Sequence, residues 1–198
     1  MPEPARPRLL LPRTERRQAL LAGAARAFAR GGFAATSLDD VASEAGVSRV
    51  LIYRHFDSKE QLYRAVLDQT RELLAEATGA PDQLGPSSLQ ALVRVAEEHP
   101  DEVRLFFRHA GREPDFRSHA DELRAAMTTT TLPYLRTLLP NDRLRAWAAE
   151  LVPVVAIEAI LAWLDVGCPR PERAADAIGA VIGSIIDSIS QIDRADDS

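Results

Sequence analysis

The stretch TSLDDVASEAGVSRVLIYRHF, residues 36–56, contains two helix starts separated by a glycine stop. Ser37 and Asp40 have the spacing of a capping box, and Leu38, Val41, Ala42 and Ala45 then recur at helical intervals on one face. Gly46 ends this short helix, because glycine enters the left-handed conformation of a tight turn without a Cβ penalty. Ser48 caps a further helix running to about His55, with Val47 and Ile52 as the apolar plug of the joint. Ala42 stands where the two helices approach most closely and only a small side chain fits. Two short helices across a tight turn over Leu38–His55 have the length and layout of a helix-turn-helix.

Upstream, Leu21, Ala24, Ala25 and Phe28 form one buried stripe of a helix from about Thr14 to Arg30, which Gly31 and Gly32 terminate. Downstream, Ser58 and Gln61 cap a helix from Lys59 to about Ala77. Pro81, Gly85 and Pro86 then break the pattern, and five more helices follow at about 87–98, 100–110, 115–138, 142–166 and 171–192. Pro133 and Pro153 are expected to kink or split the two helices that contain them. Thr128 to Thr131, four β-branched residues in a row, predict either a frayed turn or a set of hydroxyls for a ligand. No segment alternates as a strand does, so the chain is all-α with about nine helices. The expected organisation is a flexible basic arm at 1–12, a three-helix helix-turn-helix domain at 13–73, a helical domain at 79–192 and an acidic tail at 193–198.

Composition narrows the function. Residues 1–64 carry eleven basic side chains against seven acidic ones, whereas the remainder carries thirteen against twenty-two, so the basic end should meet a polyanion. Cys168 is the single cysteine, which precludes an intramolecular disulfide and suits a reducing compartment. Leu9 to Leu11 is too short for the apolar region of a signal peptide. Leu151 to Leu164 is interrupted by Glu158 and falls short of the ~18 unbroken apolar residues of a membrane span. A cytoplasmic protein that contacts no membrane is expected. There is no glycine-rich phosphate loop and no paired nucleophile and base, and His99, His109 and His119 lack metal-ligand spacing. An enzyme, a metal site and a cofactor are therefore not expected.

Laid out in order, Phe28, Gly32, Phe33, Thr36, Ser37, Val41, Ala42, Ala45, Gly46, Val47, Ser48, Tyr53, His55, Phe56, Ser58, Lys59, Glu60 and Leu62 resemble the DNA-binding domain of the tetracycline-repressor (TetR) family. The resemblance implies an N-terminal DNA reader joined to a C-terminal domain that dimerises and binds a small effector. It departs from the common family pattern at Val50 and Leu51, where many members have a Gly-Thr pair. Neither side chain can donate a hydrogen bond, so base reading falls to Ser48 and Arg49, with Val50 and Leu51 left for thymine methyl groups. Arg54 joins Arg49 beside the turn as a DNA contact rather than a solvated surface arginine. Tyr53 and His55 match family positions that contact phosphates, although Tyr53 could equally serve the core. Thr36 and Ser37 open the second helix, and Lys59, the sole lysine, sits in the first turn of the fourth, where free N–H groups and the helix dipole favour a phosphate. Arg6, Arg8 and Arg13 of the arm would either reach a neighbouring groove or only solubilise it.

In the C-terminal half, Ala174, Ile178, Val181, Ile182, Ile185 and Ile189 make a broad apolar stripe, and Ala175, Gly179 and Gly183 a second, small-residue row. From the residues alone, an intrachain core and a contact between two copies are equally good accounts. The resemblance favours the second, with Leu161, Ala175, Ile178, Gly179, Ile182, Gly183 and Ile186 at a homodimer interface. Two copies imply a palindromic double-stranded DNA operator. For the effector, expected to be small and apolar, the candidate pocket residues are Phe106, Phe107, His109, Phe116, Met127, Tyr134, Trp147 and Trp163, with Glu158 as a further polar anchor. Such a chain is most simply a repressor released by its effector. A helix-turn-helix regulator with no effector, controlled by a partner or acting as an activator, is the alternative.

Overall fold

The computed structural model describes residues 13–79 and 85–196, and all the regular structure among them is helical. The elements are α1 (Arg13–Ala35), α2 (Leu38–Ala45), α3 (Arg49–Tyr53), α4 (Lys59–Thr78), α5 (Pro86–Glu98), α6 (Pro100–Arg104), α7 (Arg117–Leu135), α8 (Asp142–Asp165) and α9 (Pro171–Asp196). The all-α expectation holds. The chain forms two compact units that divide inside α4, between Val66 and Leu67. The arm with Arg6 and Arg8, the side chain of Arg13 and the side chains of the acidic tail lie outside the described residues.

In the first unit α1 buries Leu20, Leu21, Ala24, Ala25 and Phe28. Gly32 interrupts this helix with φ 70°, close to the expected stop. From α4, Leu62, Tyr63 and Val66 close the core. The Phe28 and Tyr63 rings meet edge to face with centroids 4.9 Å apart, a favoured aromatic geometry. Gly23 lets α1 touch α2: a Cβ built there would stand 2.5 Å from the Cα of Ala45.

The second unit packs a cluster of Leu135, Leu139, Ala148, Ala149, Ile186 and Ile189 from α7, α8 and α9. Two expectations fail locally, and of the two readings of the threonine run the frayed turn is not seen. The helix expected over 100–110 is broken into α6, a π turn at Leu105–His109 and a 3-10 turn at Ala110–Arg112. Pro133 and Pro153 do not split their helices; Pro133 falls in the last turn of α7, so that little helix follows the hydrogen bond it removes, and Pro153 is buried within a continuous α8. The threonine run does not fray, because the hydroxyls of Thr129, Thr130 and Thr131 each donate to the carbonyl four residues back, at 2.8 Å.

Whole helices also revise the estimate of apolar length. Asp142–Asp165 and Pro171–Ile192, with mean hydropathies of 1.8 and 1.3, are long and apolar enough to cross a membrane by length and composition. Within the chain 44% of the apolar stretch of α8 is buried, but only 17% of that of α9.

Candidate functional site

The helix-turn-helix is built from local hydrogen bonds that the sequence encodes directly. Ser37 caps α2: its hydroxyl accepts from the Asp40 N–H at 3.1 Å, and the Asp40 carboxylate accepts from the Ser37 N–H at 2.8 Å. These bonds hold the Asp40 pKa below its ordinary value, the Ser37 hydroxyl contributing most. Gly46 then adopts φ 64°, ψ 31°, and the Val47 N–H returns to the Ala42 carbonyl at 3.0 Å, closing the turn. Ser48 caps α3 by accepting from the Leu51 N–H at 3.3 Å. Ile52, fully buried, anchors α3, so the opposite face is left outward.

That outward face carries the reading residues. Ser48, Arg49, Val50, Tyr53 and Arg54 are exposed, Val50 at 65%, while Leu51 and His55 are half-buried. The Arg49 guanidinium donates to the Asp39 carboxylate at 3.1 Å and to the Tyr53 hydroxyl at 3.4 Å, and lies 5.7 Å from the centre of the Tyr53 ring. The bond to Tyr53, with the charge of Asp39 next, raises the Arg49 pKa. Tyr53 is therefore an outward residue bound to Arg49, and Arg54 has no ion-pair partner among the described residues. Val50 stands outward where many family members have glycine, which leaves an apolar side chain beside the two arginines.

Two residues expected at phosphates make hydrogen bonds within the chain. Thr36 is buried, 5% exposed, and its hydroxyl donates to the Gly32 carbonyl at 2.8 Å, so its side chain satisfies the break in α1 rather than facing outward. Lys59 folds back across the same break. Its Nζ donates to the carbonyls of Phe33 at 2.8 Å and Thr36 at 3.0 Å and sits 4.2 Å from the Phe33 ring centre. Two of its three donors are thus spent on carbonyls that the broken helix leaves without partners. Ser37 is exposed, but its hydroxyl is held in the cap.

The second unit holds an open cavity of about 560 Å3 lined from α4, α5, α7, α8 and α9, beside a separate small apolar pocket that Phe107 and Val103 line. Of the candidate pocket residues, Met127 and Tyr134 line the cavity and Phe107 lines the small neighbouring pocket. Phe106 and Phe116 are core, fully buried. Trp163 is also core, its ring N–H donating to the Pro169 carbonyl at 2.9 Å. Trp147 is half exposed, and neither it nor His109 and Glu158 lines the cavity. Residues passed over in the sequence, among them Leu89, Gln90, Leu92 and Asp176, complete the wall. Of the residues expected at a dimer interface, Leu161, Ile178 and Ile186 are buried within the chain, while Ala175, Gly179, Ile182 and Gly183 are half-buried and, with Ile186, line the cavity. The small-residue row makes room for the cavity, since a Cβ on Gly183 would meet nothing within 4 Å.

Comparison with known proteins agrees with this geometry. Residues 20–66 match the family model described as "Bacterial regulatory proteins, tetR family". The transcriptional activator FasR of Mycolicibacterium smegmatis is 28% identical over 188 residues, 88% of this chain and 82% of its own length. The transcriptional regulator TtgR of Pseudomonas putida is 41% identical over 75 residues, 36% of each chain. Among solved structures, a TetR-like transcriptional regulator from a Rhodococcus species superposes with a TM-score of 0.68 at 20% identity, covering 93% of this chain and 98% of its own. A regulator from Aquifex aeolicus also superposes with a TM-score of 0.68 at 17% identity, covering 86% of this chain and 99% of its own. These relatives are transcriptional regulators and not enzymes, and with the capped helix-turn-helix at residues 37–53 they make the chain a helix-turn-helix protein similar to the TetR family of transcriptional regulators, the family match itself falling on residues 20–66.

Proposed function

We propose that the chain is a homodimeric, cytoplasmic repressor that reads a palindromic operator through α3 and leaves it when a small, largely apolar effector fills the cavity of the second unit. The observation that carries the DNA-reading assignment is the outward face of α3, where Arg49 and Arg54 flank Val50 on a helix anchored by Ile52. Arg49 and Ser48 read base edges, Val50 and Leu51 contact thymine methyl groups, and Tyr53, Arg54 and His55 meet the backbone. Two copies related by a two-fold axis would place their α3 helices about 34 Å apart, one turn of DNA. For dimerisation the support is the apolar face of α8 and α9 that the chain itself leaves uncovered, including Val154 at 38% and Val181 at 51% exposure. For the effector it is the cavity, whose volume is that of a small-molecule site.

FasR, whose alignment spans most of this chain, is named an activator, and that favours a second reading in which DNA binding raises transcription. Selection of binding sequences from a random DNA pool at moderate salt tests the core of the proposal: a palindrome is expected, and failure to enrich any sequence would overturn it. A reporter placed behind the selected site then decides between the readings. Output that falls on adding the protein supports the repressor, and output that rises supports the activator.

A further inference from the structure

We infer that the cavity of the second unit selects apolar molecules carrying one protonated amine, and disfavours carboxylates of the same length. The inference rests on the reading of the cavity as an effector site. Its wall is mostly hydrocarbon, and a small separate apolar pocket between Val103, Phe107 and Ile160 shares Leu92, Leu123 and Met127 with it. Asp176 is the single charged residue among the described lining residues, and no Lys, Arg or His accompanies it. Because Asp176 is exposed while also lining the cavity, its carboxylate stands at the rim, and no ion pair occupies it among the described residues.

The hydroxyls reinforce this polarity. Thr130 donates to the Ala126 carbonyl and Thr131 to the Met127 carbonyl, both at 2.8 Å. Thr78 donates to Leu74 at 3.1 Å, and Ser88 to Thr78 at 3.2 Å. Each hydroxyl has spent its proton on the backbone, so what it offers a ligand is oxygen lone pairs. Gln90 and Tyr134 add neutral groups that can donate or accept, so the one carboxylate decides the polarity: it fits a head group that donates, and an ammonium both donates and balances the charge. The opposing feature is the N-terminus of α5 at Gly85, which also lines the cavity and favours an anion by roughly half a unit charge. The full charge of Asp176 outweighs it. The ligand expected is therefore an alkyl or aryl amine whose body fills the apolar interior and whose head rests at Asp176.

The test uses the full-length protein and three probes of one chain length, decylamine, decanol and decanoate, each below its micellar concentration. Calorimetry at neutral pH measures binding, and operator release is measured in parallel. Decylamine should bind about fivefold tighter than decanol and decanoate about fivefold weaker, the size expected of a partly exposed charge pair. Asp176→Asn should remove the preference for the amine, and Asp176→Lys should reverse it in favour of decanoate. Decanoate binding as well as or better than decylamine, or a preference that survives Asp176→Asn, would overturn the charge assignment and leave the effector site standing. If none of the three binds, the effector reading of the cavity falls and this inference falls with it.

Discussion

At the level of single residues, Arg49 is held before it meets DNA. Asp39 and Tyr53 share its guanidinium, so base contact must replace an existing ion pair and hydrogen bond. The pair is exposed on both sides and adds little stability, yet it orients the arginine and charges nonspecific contact with the cost of breaking it. Arg49→Ala should relax preference at particular base pairs by about 1–3 kcal/mol, read by repeating the pool selection with the variant. Asp39→Asn should raise affinity for unrelated DNA while narrowing the gap to the selected operator; an unchanged gap would remove Asp39 from the reading mechanism. Lys59 makes the contrasting case. Its amine bridges two backbone carbonyls, so Lys59→Ala should lower the stability of the first unit by about 1–3 kcal/mol in a thermal melt. The slope of log affinity against log salt should stay as it is; a slope reduced by about one would return Lys59 to the phosphates. Its position in the first turn of α4 is legible in the sequence, but its fold back onto α1 is not, because that depends on carbonyls 23 and 26 residues away.

At the level of elements, the joint between α1 and α2 sets how α2 is presented. Gly23 provides the contact surface, and any side chain there meets the backbone of Ala45, so Gly23→Ala should cost about 1–3 kcal/mol by overpacking, visible as a lowered melting temperature of the first unit. Glu44 adds the polar half of the joint, accepting from Arg26 at 2.8 Å and pairing with Arg30. The hydrogen bond from Arg30, followed by that from Arg26, holds the Glu44 pKa below its ordinary 4.5. A depressed carboxylate pKa means stability that is fully present above the unfolded value and is lost as pH falls through the folded one. Wild type should therefore melt above Glu44→Gln near neutral pH, with the difference shrinking below about 4.5. A constant difference across that range would show that charge is not what Glu44 contributes. These helices were largely legible because Ser37, Asp40, Gly46 and Ser48 act within four residues of themselves. The break after α6 and the persistence of α8 through Pro153 were not, since the second depends on burial of Pro153 among distant helices. In α9 the periodicity of apolar residues identified a helix, but Ile178 and Val181 read alike in sequence while one is buried and the other half exposed.

At the level of the molecule, that last ambiguity decides where a second copy would sit. Gly179, Ile182 and Gly183 are half-buried and line the cavity, whereas another row of α9 is more exposed. The uncovered row of α9 passes instead through Val181, Ser184 and Ser188 to Ile192, all exposed. The two serines donate their hydroxyls to the carbonyls of Ala180 and Ser184, at 2.9 Å and 2.8 Å. They therefore need no partner across an interface, and the row can be covered without stranding a polar group. With only 17% of the apolar stretch of α9 fully buried by its own chain and Val181 and Ile192 exposed, a second α9 packed against this row is the simplest cover. Val181→Arg introduces a like-charge pair at the centre of such a contact and disturbs little within the single chain, where Val181 is 51% exposed. The variant should keep its helical circular dichroism, sediment as a monomer and bind the palindromic operator about a hundredfold or more weakly, because the second half-site no longer adds avidity. Should it remain a dimer, the interface lies on another face. Should it become a monomer with undiminished operator affinity, one copy suffices to read DNA and the palindrome loses its reason.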